Sequence, residues 1–302
     1  MQTAAIMKKA DDAQMATPQA CLDSGIEALT NRHQAEILDF LAARPLHTVY
    51  LAGFILDNGV VNPLNRGSFY GYRNSSGQLE GVALIGHATL FEIRSTEALA
   101  AFARVAQNSS STHMLMGEME KVEHFWNLYN EGGQAPRVMC RELLFEHRFP
   151  VEVKKPVQGL RRATLRDLEK LLPVQAEMAF EESGVNPMEK DPNGFRLRCA
   201  RRIEQGRVWV LFEQGRLVFK ADIMSDTPEV VYLEGIYVAP EDRGQGMGSR
   251  CLSQLTRNLL ARTKTVSLLV NEQNEKASEF YLKAGFKLRA HYDTIFLQQV
   301  AA

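Results

Sequence analysis

Arg243, Gly246 and Gly248 stand at R-x-x-G-x-G spacing inside Arg243-Gly244-Gln245-Gly246-Met247-Gly248. An apolar run from Tyr232 to Val238 leads into them. Leu252, Leu255, Leu259 and Leu260 follow at helical spacing. The pattern predicts a strand, a glycine turn and an amphipathic helix. Glycines at such a turn let the backbone come close to a ligand. The helix start adds unpaired N–H groups and the positive end of its dipole. Backbone groups of Gly244, Gln245, Gly246, Met247, Gly248 and Ser249 at such a start would favour a phosphate. A dinucleotide fold is the rival reading, because Gly244-x-Gly246-x-x-Ser249 is close to G-x-G-x-x-G/A. That fingerprint belongs after the first strand of a parallel β-α-β series, whereas here three hairpin-linked strands come first.

The elements that position the turn follow from periodicity. Residues 160–163 read as a short strand, and Thr164-x-x-Asp167 as the start of a helix that Pro173 would kink. Residues 181–187 read as a loop and 193–205 as a helix. Strands are predicted at 208–212, 217–223, 230–238 and 265–270, the first three joined by short turns. Ala277, Phe280, Tyr281 and Ala284 mark a short helix stopped by Gly285, with 286–289 and 294–297 completing the sheet. Residues 22–150 echo that order: helices at 32–43, 48–56, 97–106 and 119–130, and strands at 68–72, 79–85, 89–93, 113–116 and 138–146. This is a diverged internal duplication. Where the second copy has its glycine turn, the first has Ile93-Arg94-Ser95-Thr96, so the first should lack the phosphate cradle.

Composition narrows the function classes. At 302 residues, two domains are the natural division. The 35 basic and 36 acidic residues give a formal charge of -1, which offers nucleic acid or an acidic membrane no general attraction. No stretch approaches the roughly 20 apolar residues of a membrane span, and the N-terminus lacks a secretory pattern. Cys21, Cys140, Cys199 and Cys251 are dispersed, which fits a reducing cytoplasm. The seven histidines show no metal-ligand spacing, so no metal is expected.

Further residues sharpen the reading. Ile236-Tyr237-Val238-Ala239-Pro240 runs into the glycine turn, and Asn271, Asn274, Tyr281, Gly285 and Phe286 lie downstream, Tyr281 seven residues after Asn274. Over residues 158–299 the chain resembles the GNAT superfamily of acyl-CoA-dependent N-acetyltransferases. The whole chain resembles two-domain members with a degenerate first copy. Phe180-Glu181-Glu182-Ser183-Gly184-Val185 and Phe219-Lys220-Ala221 resemble a bacterial subgroup. The resemblance implies an α+β fold of two tandem GNAT-like domains, each a mixed, mostly antiparallel sheet flanked by helices. The expected limits are a disordered tail at 1–21, a degenerate domain at 22–150 and a catalytic domain at 151–302.

The resemblance also implies roles. Acetyl-CoA would be bound by the glycine turn, by strand residues Ile236, Tyr237 and Val238, and by Asn271 and Asn274. Asn274 is equally suited to capping its helix. Tyr281 would be the general acid for the leaving thiolate. Glu234, a carboxylate in a central strand, is the leading base, and Glu181 and Glu182 would bind a cationic acceptor or serve as base instead. Cys251, in the first turn of the phosphate helix, should favour a thiolate, although direct transfer needs no acyl-cysteine. The expected reaction moves an acetyl group to a small-molecule amine, a protein N-terminus or a lysine. The alternatives are a non-catalytic acyl-CoA-binding regulator and transfer of a longer acyl chain. GNAT enzymes are often dimers, so a homodimer is compatible with the resemblance.

Overall fold

The computed structural model describes residues 25–153 and 155–298. The expected N-terminal tail and Cys21 lie outside them. The first half runs β1 (Ile26–Ala28), α1 (Gln34–Ala42), α2 (Pro45–Asn58), β2 (Gly67–Arg73), β3 (Leu79–Gly86), β4 (Ala88–Ile93), α3 (Thr96–Gln107), β5 (Met114–Glu118), α4 (Met119–Tyr129) and β6 (Pro136–His147). The second repeats the plan: β7 (Arg161–Arg162), α5 (Leu168–Ser183), α6 (Pro187–Lys190), α7 (Pro192–Glu204), β8 (Val208–Glu213), β9 (Arg216–Asp226), β10 (Val230–Val238), α8 (Met247–Leu260), β11 (Thr265–Asn271), α9 (Glu275–Lys283) and β12 (Lys287–Leu297).

Among the described residues these strands form one sheet, ordered β1-β2-β3-β4-β5-β12-β6-β11-β10-β9-β8-β7. The two halves exchange their final strands. β12 lies antiparallel between β5 and β6, with Thr294 opposite both Met116 and Cys140. β6 in turn borders β11, with Leu144 opposite Leu269 and Glu142 opposite Asn271. The two short strands expected at 286–289 and 294–297 are one strand of 11 residues, whose register against β6 shifts between Leu288 and Ala290 and again between Phe296 and Leu297. Its buried residues Tyr292, Ile295, Phe296 and Leu297 face both sides, which suits a central strand and not an edge.

Helices α1, α2, α5 and α7 lie on one face of the sheet and α3, α4, α8 and α9 on the other, as the apolar clusters show, with α6 packed on α5 and α7. Helix α2 of the first half reaches across the midline, where Tyr50 packs on Tyr232 of β10 with ring centroids 4.6 Å apart. Arg207 to Asp57 and Arg201 to Asn58 tie the second half to the same helix.

One local expectation changes and two features fall where expected: Thr164 and Asp167 form a capping box, and Pro173 lies inside α5. Residues 181–183 are the last turn of α5, not a loop. Glutamate is a good helix former, and Ser183 Oγ donates back to Ala179 O. Gly184, at φ 67°, stops the helix.

Because each half lacks its own last strand, the intact chain should unfold in one cooperative calorimetric transition. Residues 151–298 expressed alone, without β6 beside β11, should show no such transition. A fragment melting cooperatively at the temperature of the whole chain would count against this coupling.

Candidate active site

The site begins where two parallel strands separate. β10 and β11 keep register from Val230–Thr265 to Leu233–Leu268, after which β11 continues against β6 alone. A register shift between Glu234 and Tyr237, with Gly235 at φ 58°, bulges β10 away. Lys220 holds the bulge. Its side chain is fully buried, and Nζ donates to Gly235 O at 2.9 Å and pairs with Asp222 at 3.0 Å. Burial pushes the Lys220 pKa down, and Asp222 opposes the shift. Asp222 also accepts from Arg202 at 3.1 Å and from Gln175. Beyond the bulge, Ala239 N–H donates to Val218 O at 2.9 Å. Amide direction alternates along a strand, so the Val238 N–H faces the opening. Arg243 Nε closes the turn onto Val238 O at 2.9 Å.

The glycine turn follows at once. Arg216 clamps its approach by pairing with Glu241 at 2.9 Å and Asp242 at 2.6 Å, and Gln245 Nε2 donates to Glu241 O at 2.7 Å. Gly244 (φ 74°) and Gly246 (φ 78°) take left-handed backbone angles that favour glycine. A Cβ on either would meet nothing within 4 Å, so the space above them is open. Gly246 is also the N-cap of α8 and offers no side chain to its first N–H groups, which include those of Met247, Gly248 and Ser249. Gly248 has the opposite constraint: a Cβ there would come within 2.6 Å of Val238 Cγ2. Open, uncapped donors beside Arg243 and Arg250 fit the diphosphate of coenzyme A. Cys251 departs from expectation. It is completely buried, and that burial pushes its thiol up to about 12, overriding the helix start.

The first half shows the contrast. β4 and β5 are also parallel and also part early, pairing only at Ala88–Met114 and Thr89–Leu115. Ser95 Oγ caps α3 by accepting from Ala98 N at 3.3 Å. The opening is filled by Arg44 and Lys121, each bound to both Glu92 and Glu118 at 2.6–3.0 Å. Burial alone would raise Glu118, but Arg44 and Lys121 outweigh it and hold the carboxyl at about 2. The cavity left there is about 30 Å³, room for a water molecule.

Tyr281 and Glu234 lie on opposite faces of the sheet beside the β10–β11 opening. Tyr281, 8% exposed, packs with Phe145, Phe280 and Phe286. Its burial raises the phenol pKa, so the proton stays on at neutral pH. Asn274 Oδ1 caps α9 by accepting from Ala277 N at 3.1 Å, and Asn271 Oδ1 accepts from Gln273 N at 2.9 Å. Both asparagines therefore have local structural uses.

Glu234 shares the α2 face with Tyr232, and its Oε2 is buried without a hydrogen-bond partner. Its pKa is raised, first by burial and then by Asp222, against the pull of Arg202 and Lys220. The Glu182 pKa is pushed up, by crowding around its carboxylate at the end of α5 and by the charges of Glu234 and Glu142. The Glu182 residue as a whole is solvent-exposed, so it stands at the outer edge of this group of carboxylates. Glu181, one residue round the helix, is exposed and joins no cluster. Sequence reasoning missed Glu142, Tyr50, Arg202 and the Lys220–Asp222 pair. The available signal was charge inside apolar strands, at Arg141-Glu142 and at Lys220-x-Asp222. Among the described residues no three His, Cys, Asp or Glu side chains are grouped to hold a metal ion, and no helix is long and apolar enough to cross a membrane.

Comparisons with known proteins bear on the fold and on one segment of the second half. A family model of the acetyltransferase (GNAT) domain matches residues 204–288. No curated protein matches the chain. Among solved structures, a Drosophila protein superposes at TM-score 0.66 with 12% identity, covering 91% of this chain and 99% of its own. A GNAT-family acetyltransferase from Colwellia psychrerythraea superposes at 0.58 with 15% identity, covering 90% and 99%. A tandem GNAT protein from the clavulanic acid biosynthesis pathway superposes at 0.55 with 12% identity, covering 92% and 99%. At these identities the likeness concerns the fold. The acetyltransferase (GNAT) domain signature thus lies over residues 204–288, the segment that holds the parted strands and the open glycine turn, and the fold of the whole chain is that of the tandem GNAT protein.

Proposed function

We propose that the protein transfers an acetyl group from acetyl-CoA to a primary amine. The observation that carries this reading is the uncapped, open glycine turn at the end of a strand that has parted from its parallel neighbour. When bound, acetyl-CoA supplies an acyl group already activated as a thioester. Gly244, Gln245, Gly246, Met247, Gly248 and Ser249 would hold its diphosphate, with Arg243 beside them. Ile236, Tyr237 and Val238 would align its amide-bearing arm as an added strand. The Val238 N–H would stabilise negative charge on the acyl oxygen. Asn271 and Asn274 would border the same channel with whatever hydrogen-bonding capacity their local roles leave.

Glu234 would take the proton from the acceptor amine. A carboxylate held above its ordinary range by burial is a stronger base at neutral pH than an exposed one. Tyr281 would donate its proton to the departing thiolate, and burial keeps that proton in place until then. Cys251, held protonated and buried, would take no covalent part, so the amine would attack the acyl carbon directly. The residues at 151–302 would carry catalysis. Those at 22–150, with their opening filled by the Arg44 network, would build the acceptor side.

Three outcomes follow. Tyr281→Phe should lower turnover about a hundredfold and leave the Kd for coenzyme A within about twofold, read by steady-state kinetics and calorimetry. Equal turnover would remove the phenol from the mechanism. Gly246→Asp should weaken coenzyme A binding by at least about a hundredfold, through left-handed strain and like charge at the helix start. In the wild type, kcat/KM should rise with pH along a limb lying above the ordinary carboxylate range, because the base works only when ionised. Glu234→Gln should lower the rate about a hundredfold and flatten that limb.

A further inference from the structure

Three carboxylates from three separate elements meet on the α2 face of the sheet. Glu234 lies on β10 in step with Tyr232, which packs on Tyr50 of α2. Glu142 lies on β6 in step with Leu144 of the same apolar cluster, opposite Asn271 and just past the point where β10 and β11 separate. Glu182 stands seven residues, two helical turns, after Gln175 on α5, and Gln175 reaches the same sheet face by donating to Asp222. Arg137 of β6 donates to Ser183 O and so ties the strand bearing Glu142 to the helix end bearing Glu182.

Two features point to a ligand. Glu234 Oε2 is buried and has no hydrogen-bond partner, so a lone pair is withdrawn from water without a donor. The charges are also unbalanced. Asp222 sits with both Lys220 and Arg202, which leaves one spare positive charge against three glutamates. Glu182, Glu234 and Glu142 all respond with raised pKa values. Thr294 Oγ1 donates to Glu142, which satisfies one oxygen but adds no charge. A metal ion does not fit, since no three carboxylates among the described residues are close enough to share one. An organic cation with two separated charged ends does not need one shared point, because each end can meet its own carboxylate.

Resting on the acetyl-transfer reading for its reacting end, we propose that the acceptor is a small organic dication, a linear diamine in its simplest form. One amine meets Glu234, and the second cationic group is held by Glu142 of the first half together with Glu182. The first half thus supplies a specificity-determining side chain to an active site whose cofactor residues all belong to the second.

Calorimetry on the full chain, with and without coenzyme A, tests this with a linear α,ω-diamine against the n-alkylamine of equal length. The diamine should bind about tenfold tighter or more. Glu142→Gln should bring the two ligands within about twofold of each other. Glu182→Gln, at a solvent-reached helix end where folding is not at stake, should do the same. Equal binding of diamine and monoamine, no binding of either, or a preference that survives both substitutions overturns the proposal. Coenzyme A release from acetyl-CoA separates the two readings. A diamine that binds with the stated preference yet releases no coenzyme A leaves the dication site standing and removes acetyl transfer. Monoamines released upon as fast as diamines, in kcat/KM, remove the dication site and leave acetyl transfer.

Discussion

Backbone amides dislike being left alone, and strands β10 and β11 leave several alone by separating after four paired residues. Everything else at the site is arranged around that separation. The bulge at Gly235 sets its direction, and the bulge is held by an ammonium group buried at 0% exposure. Burying Lys220 is costly unless its charge is met, and Asp222 meets it, in turn gripped by Arg202 and Gln175 from two helices. A polar chain of this kind running from helix to sheet fixes one geometry. It fixes the carbonyl of Gly235, and through strand alternation the amide of Val238.

The same opening exists twice in the molecule and has two fates. In the second half it ends on a glycine turn with empty space above it. In the first it ends on Ser95, whose hydroxyl occupies the helix start, and it is filled by Arg44 and Lys121 between Glu92 and Glu118. Ion pairs there do the work that a bound ligand would do in the second half. They link β4 to β5 through the side chains of Glu92 and Glu118, so the first copy keeps the same strand arrangement without a cradle.

What could be read from the sequence divides along physical lines. The glycine turn was legible because left-handed angles at Gly244 and Gly246 favour one residue type. The helices and strands of both halves were legible because their periods are local, and the capping box at Thr164 and Asp167 likewise. The exchange of β6 and β12 was not, because a strand buried on both faces does not say which strands flank it. Glu181 and Glu182 were read as loop because Gly184 and Pro187 lie close by, although the helix persists until its glycine. Cys251 was misjudged from its place at a helix start, since the dipole argument omitted its burial. Glu142 offered only a charge inside an otherwise apolar strand, and the third dimension alone sets it beside β11.

Duplicated halves usually free one copy to drift once the other keeps the chemistry. Here the swapped strands withhold that freedom. The copy without a cradle still borders the other through β6, and its own strands are continued by β12. Natural selection acting on one half therefore reads through to the other, and neither could be discarded without dismantling its sibling.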